Sequence, residues 1–161
     1  IAVPYTGLIL STRESAALRK KAFHIGISQA SAGSRTTTGG YGKDKEQPQF
    51  KVQDERNLEQ VIQDVVKDGF LPSFCTACYR KGRTGEAFME LSKPGQIHKF
   101  CRANGLLTFA EYMQDFLTNG LRKKGEETIK FYLNKIEDKA LRQKTKERLA
   151  EIYKGKRDLY F

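Results

Sequence analysis

Cys75 and Cys78 stand two residues apart in "SFCTACYRKGRTG" (73–85), and the chain's remaining cysteine, Cys101, follows in "HKFC" (98–101). The spacing is C-x2-C-x22-C. Two thiolates at C-x2-C converge across a tight turn and grip one metal ion or one face of a cluster. The intervening "KPG" (93–95) supplies a turn that brings the chain back toward the first pair. Three readings of this donor set are open on spacing alone. His98, three residues before Cys101, completes a Cys3His tetrahedron for structural zinc. Alternatively, three cysteines hold a 4Fe-4S cube and leave one iron without a protein ligand, or they are incidental buried thiols. Arg80, Lys81 and Arg83 follow the first pair at once. Cations there favour thiolates and offset the negative charge of a thiolate cluster, although loops also carry such charge without a site.

The elements that must position these residues fall into three stretches. In residues 1–36, "GLIL" (7–10) and "ISQA" (27–30) read as short strands on either side of a helix, "ESAALRKKAFHIG" (14–26), closed by Gly26. Each strand runs into a polar loop, "STRE" (11–14) or "SAGSRT" (31–36). Strand–helix–strand is a βαβ unit, and α/β folds build active sites from the loops at the C-terminal ends of such strands. Two strands neither close a barrel nor bury both faces of a parallel sheet. With no initiator methionine at Ile1, the expectation is a chain that starts inside a larger domain; a small complete α+β protein is the simpler reading.

Residues 37–53 are rich in glycine and polar residues and read as a connecting segment. Asp54 is the expected N-cap of "ERNLEQVIQDVVKDG", where Leu58, Val61, Ile62, Val65 and Val66 form one apolar stripe and Gly69 closes the helix. Further on, Thr108 with Glu111 has the pattern of a capping box opening "FAEYMQDFL", with Tyr112 and Phe116 on one face. From Glu126, the apolar positions Ile129, Leu133 and Ile136, then Leu141, Leu149 and Ile152, imply a helical hairpin or one broken helix.

Composition narrows the function classes. The 161 residues are 39% hydrophobic and 30% charged, enough for a core within a water-facing chain. No apolar run approaches the ~20 residues of a membrane-spanning helix, and residues 1–10 lack the basic leader and cleavage site of a signal peptide. An odd number of cysteines fits a reduced, metal-binding setting better than a disulfide framework. The net charge is +10, but the 13 Lys/Arg and 7 Asp/Glu between Leu121 and Phe161 are interleaved. That pattern describes a solvated helix face, and neither nucleic acid nor membrane is an expected partner.

Longer stretches match a known family. "VPYTGLILSTRES", "GISQASAGSRTTTGGY", the run from "FKVQDERNLEQ" through "CTACYRKGRTG" to "HKFC", and the closing "RDLYF" resemble the C-terminal part of the HydG family of FeFe-hydrogenase maturases. The first stretch also resembles the related thiamine-pathway 2-iminoacetate synthases (ThiH), which lack the cysteine-bearing C-terminal domain. The resemblance implies an α/β fold: residues 1–53 end a radical-SAM (β/α)8 barrel and its connecting segment, and residues 54–161 form a mainly helical iron–sulfur domain. It implies a radical-SAM lyase that cleaves tyrosine to p-cresol and dehydroglycine, the source of carbon monoxide and cyanide for an Fe(CO)2(CN) unit of the H-cluster. Cys75, Cys78 and Cys101 then match the ligands of an auxiliary 4Fe-4S cluster with an additional iron, and His98 loses most of its claim as a ligand. Arg13, Ser31 and Ser34 take the place of a tyrosine carboxylate and amine site, an arrangement of guanidinium and hydroxyl donors suited to a carboxylate.

The radical-SAM motif C-x3-C-x2-C is absent from the chain, and no cysteine remains to build it. The resemblance thus implies a C-terminal fragment, inactive alone, whose full-length enzyme binds S-adenosylmethionine and a second 4Fe-4S cluster. It would partner a hydrogenase maturation scaffold in the bacterial cytoplasm or in a eukaryotic hydrogen-producing organelle. A zinc-stabilised Cys3His binding module with a basic helical face is the alternative.

Overall fold

The computed structural model describes residues 7–37, 48–117 and 119–161. Residues 1–6, which include the start of the first resembling stretch, and 38–47 of the connecting segment lie outside the described residues. The chain divides into two compact units, residues 1–62 and 63–161.

In the first unit, β1 (Ile9–Leu10), α1 (Ala16–His24) and β2 (Gln29–Ala30) form a parallel βαβ unit with Ile9 opposite Gln29 and Leu10 opposite Ala30. Gln29 N–H donates to the Leu8 carbonyl at 3.1 Å and Ser31 N–H to that of Leu10 at 3.0 Å. The Ser15 hydroxyl caps α1 by accepting from the Leu18 amide. Beyond the helix, Gly26 takes φ 110°, a turn that a residue with Cβ resists.

Asp54 departs from the expected N-cap. It is buried, ion-paired with the equally buried Arg19, and accepts from Arg56 Nε at 2.8 Å and Nη2 at 2.7 Å. Helix α2 (Leu58–Lys67) starts later, where Asn57 and Gln60 cap each other: Gln60 N–H donates to Asn57 Oδ1 at 2.9 Å and Asn57 N–H to Gln60 Oε1 at 3.0 Å. Val61, Ile62 and Val66 of the apolar stripe are buried.

The second unit is helical, with α3 (Ala77–Arg80), α4 (Gly85–Ser92), α5 (His98–Phe116), α6 (Asn119–Asn134) and α7 (Lys139–Tyr153). The last two are the expected hairpin. They pack on α5, whose Ala103, Leu106, Leu107, Phe109, Ala110 and Met113 are wholly buried. Gly125 of α6 lets that contact close, since a Cβ there would stand 2.5 Å from Met113 Sδ.

Thr108 and Glu111 do not open a helix. Helix α5 runs through them, and Thr108 Oγ1 donates back to the Asn104 and Gly105 carbonyls, the mid-helix habit of a threonine. Glu111 instead accepts the amides of Asp158 and Leu159 at 2.8 and 3.2 Å. Tyr112 and Phe116 do share a face, their rings 5.4 Å apart, with Phe74 stacked on Tyr112 at 4.9 Å. No helix among the described residues is long and apolar enough to cross a membrane.

Candidate metal centre

Local chemistry bends the chain around the first two cysteines. Ser73 Oγ accepts the Cys75 amide at 3.3 Å, and Cys75 Sγ accepts the Ala77 amide at 3.4 Å. One turn of helix, α3, then carries Cys78. Its end is a Schellman motif: Gly82 N–H reaches the Tyr79 carbonyl at 3.2 Å and Arg83 N–H reaches the Cys78 carbonyl at 2.8 Å. Gly82 supplies the left-handed residue this turn needs, at φ 66°. "CYRKGR" thereby returns Arg83 to the cysteine it follows.

A Cβ at position 82 would meet open space, so Gly82→Ala tests conformation alone. The left-handed backbone costs alanine about 1 kcal/mol, which lowers Tm by about 2–4 °C in a chain of this size. An unchanged melting curve would show that the turn is not needed.

Cys101 arrives from the first turn of α5, its amide bonded to the Ile97 carbonyl at 3.3 Å. Cys75 and Cys101 are exposed, Cys78 is half-buried, and all three are free thiols. Although Cys101 is exposed as a residue, partial desolvation of its sulfur pushes the thiol up, and the neighbouring Cys78 and Cys75 push it further, while Arg83 opposes them. A thiol that resists ionising is relieved by a bound cation, which displaces its proton. In donor chemistry, three thiols of this kind suit an iron–sulfur cluster. Among the described residues no three His, Cys, Asp or Glu side chains converge on a point where one metal ion would bind. His98 is exposed on the first turn of α5.

The three cations beside the cysteines face the last residues of the chain. Arg80 grips Asp158 with both ends of its guanidinium and lies 4.5 Å over the Tyr160 ring, where Lys81 also sits at 5.5 Å. This pairing holds the Asp158 carboxyl below its ordinary range. Arg83 Nη2 donates to the Phe161 main-chain oxygen at 2.7 Å, and Asn104 Oδ1 accepts the Phe161 amide at 2.8 Å. Arg148 stacks 3.8 Å over the Phe161 ring.

Residues 1–71 match the model of the Biotin and Thiamin Synthesis associated domain. A search of curated proteins finds no match. Among solved structures, HydG, "a maturase of the FeFe-hydrogenase", is similar to the chain at 51% identity and TM-score 0.92, over 99% of this chain. The chain is HydG-like. It spans 35% of the HydG chain it matches.

The HydG-like chain places its other expected site residues in the first unit. Arg13, exposed, lies with its guanidinium 4.5 Å over the Phe50 ring, and its amide donates to Ser11 Oγ. Ser31 follows β2, its carbonyl held by Arg19 Nη2, and Ser34 is half-buried in the same loop. Sequence reasoning missed the strap formed by residues 157–161. The one available signal was "RDLYF", an acidic residue among aromatic ones, which matches a basic partner only once the fold has brought it to Arg80.

Proposed function

We propose that this chain is the auxiliary-cluster end of a radical-SAM tyrosine lyase that takes part in FeFe-hydrogenase maturation. The observation that carries the reading is the similarity to HydG over 99% of the chain, supported by the electrostatic reach of Cys75, Cys78 and Arg83 to Cys101. Cys75, Cys78 and Cys101 hold a 4Fe-4S cluster with an additional iron. When bound, such a cluster supplies an iron that no protein side chain occupies, where small ligands gather. The protein's own part is to hold three thiolates against a basic surround and to fix their spacing with the Gly82 turn and the strap.

In the full-length enzyme, Arg13, Ser31 and Ser34 hold the carboxylate and amine of tyrosine, a planar guanidinium and two hydroxyls matching those groups. The radical chemistry, with S-adenosylmethionine and a second 4Fe-4S cluster, belongs to the barrel. Carbon monoxide and cyanide from the cleaved tyrosine enter an Fe(CO)2(CN) unit that leaves as cargo for the hydrogenase scaffold. The setting of this pathway is the bacterial cytoplasm.

Anaerobic reconstitution of the chain with iron and sulfide tests the reading. The expected product is brown, with broad visible absorbance and about four irons per chain. A colourless protein with one zinc would sink it in favour of the zinc-stabilised module.

A further inference from the structure

Among the described residues, Arg83 is the cation of the cysteine loop whose spare donor is buried. Its main-chain amide is spent on the Cys78 carbonyl and its Nη2 on the Phe161 oxygen. The guanidinium lies 4.8 Å over the ring of Phe100, the residue immediately before Cys101. Nε is buried and has no hydrogen-bond partner among the described residues. A buried guanidinium N–H without an acceptor is costly, and such a donor persists where an anion completes it. Arg80 differs, because Asp158 takes both ends of its guanidinium. Lys81 stands off over Tyr160.

The backbone bond to Cys78 and the stack on Phe100 place this unspent donor between the two arms of the cysteine set. Sulfur is the anionic acceptor that a loaded site offers there. We propose that Arg83 is the residue that tunes the cluster, donating Nε–H to its anionic sulfur and raising its reduction potential. The inference rests on the cluster reading above. Hydrogen bonds to sulfur and nearby positive charge stabilise the more negative, reduced form, so both raise the potential.

The test is an EPR-monitored redox titration of the reconstituted chain, with iron and sulfide counted in each variant. Arg83→Gln is expected to keep the parent's iron content while its reduction becomes at least tenfold less favourable, about 59 mV lower for one electron. Arg83→Lys retains the charge without the fork and falls between the two. Arg148→Gln is the control, since Arg148 meets the strap at the Phe161 ring and the Tyr160 carbonyl rather than at the cysteine loop. It is expected to leave the potential unchanged.

An Arg83→Gln chain with full iron and the parent's potential would overturn the role, and so would an equal shift in Arg148→Gln, which would assign the effect to the strap. If Arg83→Gln loads no iron, Arg83→Lys decides, and a potential equal to the parent's overturns the proposal. A parent chain that takes up no iron overturns the cluster reading itself and this role with it.

Discussion

Cys101→Ser is expected to strip the chain of its iron while leaving its helices folded. Cys101 is exposed in the first turn of α5, whereas the buried run of that helix begins two residues later, at Ala103, and extends to Met113. The thiol thus carries little of the packing of the second unit. An exposed substitution of this size changes stability by about 0.5 kcal/mol or less. As a ligand, however, the sulfur has no substitute. A serine hydroxyl is not ionised near neutral pH, and two sulfurs on one short loop leave half a cube unanchored. Reconstitution should return background iron and no visible absorbance, with a far-UV spectrum and Tm like the parent's. Retained cluster would remove Cys101 from the ligand set. Joint loss of cluster and helicity would show that the residue serves the fold instead.

What the sequence disclosed of this architecture was mostly local. The two short strands, Gly26 after α1, the stripe of α2 and the α6–α7 hairpin each follow from residues within a few positions of one another. The C-x2-C turn was legible for the same reason. Two expected caps failed because a cap is recognised by residue type, and the same types serve other ends. Asp54 has the chemistry of an N-cap, yet a cation 35 positions earlier, Arg19, claims its carboxylate. Thr108 and Glu111 have the spacing of a capping box. Helix α5 is apolar nearly all round from Ala103 to Met113, so no stripe marks where it begins. Glu111 is drawn instead to main-chain amides 47 and 48 positions away. The strap was hidden on the same ground, because partners for Arg80 and Arg83 lie 78 positions downstream. Pattern reading weighs neighbours in sequence, while buried charge is settled by neighbours in space.

The buried pair in the first unit carries the largest expected stability effect. Arg19 and Asp54 each keep 1% of their side-chain surface exposed. Replacing Asp54 with alanine strands the Arg19 charge in that interior, a loss of about 3–5 kcal/mol. Urea unfolding of Asp54→Ala checks it, and a loss under about 1 kcal/mol would contradict the buried-charge account. Arg19→Leu with Asp54→Leu should recover much of the loss, because no charge is then left unpaired. The same pair sets an acid limit. Hydrogen bonding from Arg56 lowers the Asp54 carboxyl from 3.8 to about 2, burial opposes this, and the Arg19 charge assists. A carboxyl lowered by folding stabilises the folded state above its unfolded value, and the contribution fades as pH falls from about 3.8 toward about 2. About 2 kcal/mol is expected to vanish across that window in the parent and not in Asp54→Asn, which has no proton to gain. The consequence reaches the proposed tyrosine site. Arg19 also holds the Ser31 carbonyl through Nη2, and Thr12 accepts the amides of Gln53 and Asp54 at 3.0 and 3.1 Å. The loops after β1 and β2, which present Arg13 and Ser31, are therefore tied to one another through the ion pairs of Asp54 and the segment that carries it, where Gly33 N–H also donates to the Arg56 carbonyl at 3.0 Å.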